Sequence, residues 1–495
     1  MVMYVRLIIT TIIGLLTSRF VLQALGASDF GLYSVVGGII TMLGVVNTAM
    51  HTTTRRYINV EMGKPNGNMN RIFNISRLLH YGFAAFIFIL AETVGMFYIY
   101  NYLNVAPEKF YDAVFVFQVS IGVAAISIIN VPYQALLQAF EKFTQVAVFD
   151  IVSSLSKLAF VIWLLYAEGN SLRIYAIGMS CLTLFSLFFY SIACIVQWKD
   201  IVRYKLYKEL DTYREILFFN NYVALGATAY LSRTQGSNIL VNFFFGTLVN
   251  AAFAIGYTIE NFCMLLVSNI GSAATPQITK NYSNHNERSV FLTELLNRIS
   301  IYLMLLIVAP LFLEMDFVLS LWLKEVPEGS VLICRLTLAS ALARTFFCGF
   351  DKLIQASGKI RWFQIVGSFV EISCLPISFV LYKLDFPAYT VICIYILMTV
   401  VGALINYWMM YHILNLDIMS YIKHVLWPSS SVIMPIMLFG LFYIRLSLES
   451  FLYHIFGVVS VAIFTLMVIY ILGLNCNERL VLNQLVKKLI LKLWK

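Results

Sequence analysis

Ser18–Ile39 reads SRFVLQALGASDFGLYSVVGGI. An apolar run that opens at Tyr4 ends here at Leu25, Gly26–Phe30 interrupt it, and a second apolar run extends from Gly31 to Thr53. Each run holds about twenty residues or more, which is what a helix rising 1.5 Å per residue needs to cross about 30 Å of hydrocarbon. The interruption carries no basic residue. Two membrane-crossing helices joined by a short turn are therefore predicted.

The pattern continues outward from this pair. Apolar stretches of spanning length are predicted at 4–25, 31–53, 78–100, 113–137, 146–167, 173–197, 217–245, 247–272, 291–313, 330–351, 362–382, 388–411, 425–445 and 453–473. Two are compositionally weak: 217–245 contains Asn, Ser and Arg, and 330–351 carries Arg335 and Arg344. Of the 495 residues 60% are hydrophobic and 12% charged, whereas soluble domains are about half apolar and a quarter charged. The expected class is an all-α polytopic membrane protein with about fourteen transmembrane helices.

The gaps between stretches give orientation. One alternating set of gaps, with the C-terminal tail, holds 22 of the 34 basic residues, among them Arg55, Arg56, Arg71, Lys199, Arg203 and Lys423. The other set holds five: Lys109, Arg173, Lys324, Lys383 and Arg445. Short cytoplasmic loops are enriched in Lys and Arg, so the first set is expected inside, with both termini cytoplasmic. Because the +9 net charge is distributed in this way and not in one patch, it does not indicate a nucleic-acid partner. The eight cysteines are dispersed, nearly all within apolar stretches, and show no C-x-x-C or metal spacing; reduced packing residues are expected. No cleavable signal peptide is expected, because the first stretch lacks a basic leader and an A-x-A site. Met1 lies almost directly in that stretch, which leaves room for an upstream cytoplasmic segment. In the tail, Leu482, Leu485, Val486, Leu489, Ile490 and Leu493 share one helical face, with the lysines largely opposite, so 475–495 is expected to lie as an amphipathic helix on the inner leaflet.

Two segment pairs suggest an internal repeat. Leu136-Leu137-Gln138-Ala139-Phe140-Glu141-Lys142 matches Leu353-Ile354-Gln355-Ala356-Ser357-Gly358-Lys359, and Leu25–Tyr33 matches Phe245–Phe253. Both pairs fall at equivalent topological positions. Two pseudo-symmetric six-helix bundles are expected, 1–200 and 201–415, followed by two additional helices over 416–474 and the tail. Six spans per repeat is even, so the halves share orientation about an axis along the membrane normal, an arrangement that puts a central cavity between them.

The Ser18–Ile39 segment, followed by RRYINVEMGK (Arg55–Lys64), resembles the opening of the bacterial polysaccharide flippases, the O-antigen and capsule repeat-unit exporters of the multidrug/oligosaccharidyl-lipid/polysaccharide (MOP) superfamily. QAFEKFTQ (Gln138–Gln145) and AATPQITKNY (Ala273–Tyr282) are also similar. The resemblance implies a multi-pass protein of the bacterial inner membrane that moves undecaprenyl-pyrophosphate-linked oligosaccharides outward for lipopolysaccharide or capsule synthesis. It implies a cationic cavity, a lipid-linked oligosaccharide as substrate, and polysaccharide polymerase or assembly proteins as partners alongside membrane lipids.

Ionisable residues inside spans cost free energy and mark candidate sites. Arg19, Lys157 and Arg233 are the cations that would receive a pyrophosphate, because Arg offers it a bidentate, charge-assisted donor pair. Arg55 at the inner end of span 2 and Asn238 beside Arg233 complete the candidate substrate set. Asp150 and Glu371, in spans 5 and 11, are candidate H⁺ or Na⁺ coupling acids. Snorkelling at the interface, pairing with other spans or simple anchoring account for the same charges structurally. No catalytic motif or metal-ligand constellation occurs, and no cofactor or enzyme activity is expected. The alternative within the same fold is a cation-coupled multidrug antiporter, which would call for acids and aromatics in the cavity. A membrane-embedded polymerase or ligase would need a sizeable outer loop, and the longest here, Glu314–Gly329, has about sixteen residues, below domain size.

Overall fold

The computed structural model describes the chain except for residues 1, 44, 63–66, 285, 358–359, 415, 445–449, 477, 481–482 and 485–495. Gly358 and Lys359 of the repeat, and most of the amphipathic tail, lie outside the described residues. The described residues contain helices and no strand. In chain order the first helices are α1 (Val2–Leu43), α2 (Val45–Met62), α3 (Met69–Leu90), α4 (Met96–Tyr102), α5 (Phe110–Ala139), α6 (Phe143–Leu164) and α7 (Ser171–Gln197). Next come α8 (Lys199–Val202), α9 (Leu210–Leu231), α10 (Ser237–Asn284), α11 (Asn286–Leu313), α12 (Met315–Trp322) and α13 (Ser330–Thr345). The rest are α14 (Phe350–Ser357), α15 (Ile360–Lys383), α16 (Thr390–Leu414), α17 (Ile418–Tyr421), α18 (Trp427–Ile444) and α19 (Phe451–Val468). Single π-helical turns at Ala91–Gly95, Ser232–Gly236 and Ile422–Leu426 join α3 to α4, α9 to α10 and α17 to α18.

Among the described residues twelve helices are long and apolar enough to cross a membrane. Two of them, Ile9–Thr41 and Ser232–Gly271, have 33 and 40 residues, about 50 and 60 Å of helix against about 30 Å of hydrocarbon. Neither is continuous. Gly26 (φ 75°, ψ 168°) breaks the first and Gly246 (φ 79°, ψ −173°) the second, at the two positions where the sequence predicted a turn between spans.

Contacts around Gly26 show that the chain doubles back. Along α5, Ala113–Ile121 belong to one buried cluster and Leu136–Ala139 to another, so the clusters mark opposite ends of the bundle. Leu25 and Leu32, on either side of Gly26, pack in the first cluster with Ile99, Leu164 and Leu172. Arg6 pairs with Asp150 near the start of α6, beside Val146 of the second cluster, and Ile58 of α2 packs in that same cluster. The chain therefore runs from one end to the other and returns. Burial of these aliphatic side chains among neighbouring helices, with exposed apolar residues outside, is the pattern of a bundle sized for lipid.

The described chain divides into two compact units: 1–255 with 322–330 and 371–391, and 256–321 with 331–370 and 392–495. In the first, α1 packs on α6, and α5 packs on α3 and α7. Close backbone approaches depend on small residues. A Cβ at Gly31 would stand 1.8 Å from the Thr247 carbonyl oxygen, and the Ser28 and Thr247 hydroxyls are 3.3 Å apart. The second unit is built on a core of Leu296, Tyr302, Leu305, Phe350, Leu353, Met410 and Val432. Its α11 contacts α18 and α19.

The segment after α7 is fastened to α3 through its carbonyls. Asn70 Nδ2 donates to the backbone oxygens of Asp200, Ile201 and Arg203 at 2.8, 2.9 and 2.8 Å. Asn74 Nδ2 donates to Arg203 O at 3.0 Å, and the Arg77 guanidinium covers the Tyr204 ring at 4.7 Å. Carbonyls at the end of α8 that no helix satisfies are thus satisfied by side chains.

Candidate functional site: a polar cavity within the first unit

A cavity of about 400 Å³ lies among α1, α5, α6 and α7. Its wall is polar for a helix bundle: Arg6 and Thr10 of α1, Gln134 and Gln138 of α5, Asp150, Ser153, Ser154 and Lys157 of α6, and Thr183, Ser186 and Tyr190 of α7. Seven residues separate Asp150 from Lys157, about two helical turns, so both present to one face of α6. The sequence placed them on that shared face; the structure supplies what they meet.

Asp150 is the centre of the cluster. Its Oδ2 lies 3.2 Å from Arg6 Nη1, its Oδ1 accepts from the Tyr190 hydroxyl, and Lys157 interacts with it electrostatically. The Arg6 and Asp150 side chains are 25% and 30% exposed, which puts the pair between a screened surface contact and a dry one. Two cations and one carboxylate leave the wall with one positive charge in excess. Hydroxyls and amides around them provide donors and acceptors without further charge. Such a lining suits an anionic or polyhydroxylated ligand, or water.

Arg55 is linked to the same cavity. Its Nη1 donates to Gln138 Oε1 at 3.0 Å, and Gln138 lines the wall.

Arg233, Asn238 and Glu371 belong to a second locality in the first unit. The π-helical turn Ser232–Gly236 carries Arg233, which is 4% exposed. Its neighbour Gln235 approaches Gly38, and Gly236 packs against Leu375 of α15; Cβ atoms at those glycines would stand 2.7 and 2.6 Å from the side chains they face. Arg233 and Glu371 both act electrostatically on the buried Cys374 thiol. Asn238, also 4% exposed, lies just past the turn; its carbonyl accepts from Asn250 Nδ2 at 2.8 Å and its Nδ2 approaches Gln235 Oε1 at 3.4 Å. Arg19 stands apart, half-buried on α1 one turn beyond Leu15, whose carbonyl accepts from Trp322 Nε1 at 2.9 Å. The Arg19 Nε has no hydrogen-bond partner among the described residues.

The candidate residues thus divide into Asp150, Lys157 and Arg55 around the cavity, Arg233, Asn238 and Glu371 around the π-helical turn, and Arg19 by itself. Arg6 and Tyr190 were not among the sequence candidates. Arg6 is visible in the sequence as a charge within the first apolar stretch, but its partner is 144 positions away. Tyr190 is one of 29 tyrosines, and no local pattern separates it from the others. Among the described residues no cluster of His, Cys, Asp and Glu has the makings of a metal site.

The architecture matches solved structures over most of its length. The lipid II flippase MurJ, in an inward closed conformation, superposes with a TM-score of 0.68 at 12% identity, covering 94% of this chain and 98% of that one. An inward-facing multidrug resistance MATE family transporter of the MOP superfamily superposes with a TM-score of 0.64 at 14% identity, over 82% of this chain and 96% of that one. A MOP superfamily transporter from Pyrococcus furiosus, described as having a binding pocket of reversed polarity, gives 0.54 at 15% identity, over 84% and 95%. No family model and no curated protein sequence matches the chain. The protein has the multi-helix membrane fold of MOP superfamily transporters.

Proposed function

We propose that this chain is a flippase for undecaprenyl-pyrophosphate-linked oligosaccharide repeat units, serving lipopolysaccharide O-antigen or capsule synthesis in a bacterial inner membrane. In this reading the two helices broken at Gly26 and Gly246 each count as two passes, giving fourteen, with both termini cytoplasmic. The halves 1–200 and 201–415 act as the alternating bundles, with 416–474 as an added helix pair. Arg19, Arg55, Lys157, Arg233 and Asn238 receive the head group and sugars, and partner polymerase or assembly proteins take up the product outside.

One observation carries most weight. The flippase neighbour covers 94% of this chain, while the MATE neighbours cover 81–84%. The additional length shared with the flippase corresponds in size to the helix pair, 416–474, that follows the two six-span halves. Charge supports the same reading: buried Arg233, with Arg6 and Lys157 of the cavity, offers the donors that a pyrophosphate needs to leave water.

The antiporter reading draws on the MATE neighbours and on the carboxylate inside the cavity. Asp150 is already held by Arg6 and Tyr190, with Lys157 acting on it electrostatically. A coupling cation there would have to displace a guanidinium, which disfavours Na⁺ exchange at this position. Deleting the gene in its source cell separates the readings. The flippase reading expects lipid-linked oligosaccharide to accumulate on the inner leaflet while surface polysaccharide is lost. Unchanged surface polysaccharide with heightened sensitivity to cationic drugs would contradict it.

A further inference from the structure

Between α7 and α9 the chain forms a loop that packs on α3. Asn70 Nδ2 holds the carbonyls of Asp200, Ile201 and Arg203, Asn74 Nδ2 shares the Arg203 carbonyl, and Arg77 Nη1 donates to Val202 O at 3.3 Å. Farther along, the Tyr207 hydroxyl donates to Asn70 Oδ1 at 3.0 Å, and the Tyr213 hydroxyl of α9 donates to Tyr207 O at 2.9 Å. Where the loop begins, directly past the last residue of α7, the Trp198 ring stacks on Phe140 with centroids 4.4 Å apart. The backbone conformation of the loop is thus fixed by its neighbours and not by a helix of its own.

Those ties also fix its depth. They fall on the first turns of α3, which carry Asn70, Arg71, Asn74 and Arg77, whereas the apolar stretch of spanning length begins at Leu78. The spanning part of α7 ends at Gln197. The loop therefore lies at the level of the lipid head groups, which aromatic and amphipathic side chains favour. Its outward face is mixed. Tyr204, Leu206 and Leu210, all outside the twelve apolar spans, are 58, 52 and 80% exposed, and in water they forfeit the gain of burial. Lys199, Arg203, Lys205 and Lys208 are exposed among them, and none is paired with an acid among the described residues. Lys205 rests on the Tyr207 ring at 5.4 Å. Glu209 is bound by Arg71 at 2.9 Å. Asp200 and, at the start of α9, Asp211 are the acids left to oppose four cations.

We propose that Trp198–Leu210, held against α3, is a docking surface for the head groups of anionic phospholipids. Lys199, Arg203, Lys205 and Lys208 meet the phosphates, while Tyr204, Leu206 and Leu210 enter the boundary between head groups and acyl chains. Two observations select a lipid surface over an acidic protein. Exposed apolar side chains and cations are interspersed along one short stretch, which is the composition of interfacial segments. The ties to α3 keep that stretch at head-group depth, where a soluble partner would have to displace lipid. Each Lys or Arg beside a negatively charged leaflet strengthens attachment about fivefold, and four of them act together here. The surface involves no cargo and stands apart from the flippase reading.

Chymotrypsin cleaves after aromatic residues and leucine, so it reads whether Tyr204 and Leu206 are covered. The purified full chain would be placed in nanodiscs of phosphatidylcholine, and in nanodiscs of equal parts phosphatidylcholine and phosphatidylglycerol. Cleavage within Trp198–Leu210 would be timed in both. For the parent it should be about tenfold slower, or more, with the anionic lipid. The two rates should converge in the variant carrying K199Q, R203Q, K205Q and K208Q. They should also converge for the parent at about 1 M salt, where the Debye length is about 3 Å. Equal rates for the parent in the two nanodiscs at low salt would overturn the proposal and leave an acidic protein as the partner of these cations. Protection by the anionic lipid that persists at high salt would overturn it equally, because charge would not carry it. That arm uses the parent alone, so it holds even where the fourfold variant does not fold. Both leaflets contain the anionic lipid, so the outcome does not depend on which side of the membrane this end of the bundle meets.

Discussion

Gly26 and Gly246 adopt the same backbone conformation, with φ 75° and ψ 168° at one and φ 79° and ψ −173° at the other. They are 220 positions apart and belong to the two segments that the sequence pairs as a repeat, Leu25–Tyr33 and Phe245–Phe253. Positive φ with extended ψ is a region that only glycine enters without strain. The likeness therefore lies in the geometry of a turn as well as in residue type.

Substitution at these glycines tests whether strain or space governs the turns. Gly26 has nothing within 4 Å of an added Cβ, and Gly246 has only Asn104 atoms at 3.8 Å. Gly26→Ala and Gly246→Ala should each destabilise by about 1–3 kcal/mol through the backbone alone. Gly31→Ala, whose Cβ would stand 1.8 Å from a backbone oxygen, should lower the unfolding temperature further. Gly37→Ala, at a helical position with open space, should be neutral or slightly stabilising. Thermal unfolding of the four variants checks the order.

Arg6 and Asp150 should behave as a coupled pair. Arg6→Gln leaves Asp150 with a weaker set of partners, and Asp150→Asn leaves Arg6 and Lys157 facing each other without a carboxylate. The two single variants together should cost more than the double variant, by a coupling of about 1 kcal/mol. The figure is set low because both side chains keep partial access to solvent. A double-mutant cycle on unfolding free energy measures it; strict additivity would remove the pair from the account.

Asn70 should control the segment that follows α7. Asn70→Ala removes the two amide hydrogens that three backbone carbonyls share, a loss of about 1–3 kcal/mol at two bonds of about 0.5–1.5 kcal/mol each. The bonds from Asn74 and Arg77 remain. Limited proteolysis should then cut within Trp198–Glu209 markedly faster than in the parent, while helices elsewhere keep their resistance. Equal cleavage rates would mean that the segment is held by other contacts.

Much of the fold is legible in the sequence because the bilayer imposes it: stretches of spanning length must satisfy their own backbone, so helices follow from apolarity and length alone. The stretch 217–245, one of the two compositionally weak ones, is weak for a physical reason. Its first part, α9, is too polar to count among the twelve apolar helices, and it reaches α10 through the π-helical turn that carries Arg233. The shared face of Asp150 and Lys157 could be read from a seven-residue spacing. The Arg6 and Tyr190 bonds to Asp150 could not, because helix-to-helix partners are fixed by packing rather than by local periodicity. The same holds for Asn70 and the Arg203 carbonyl, which lie 133 positions apart.

The central claim is best tested by transport with the purified protein in liposomes. Movement of a pyrophosphate-linked oligosaccharide lipid to the opposite leaflet would be followed for the parent and for Arg233→Ala, with Arg233→Lys as a variant that keeps the charge. The account predicts movement by the parent and about a tenfold or greater loss in Arg233→Ala, the effect of removing one charge-assisted hydrogen-bond donor, with partial activity in Arg233→Lys. No movement of the lipid by the parent, together with efflux of a cationic dye from the same vesicles, would contradict it.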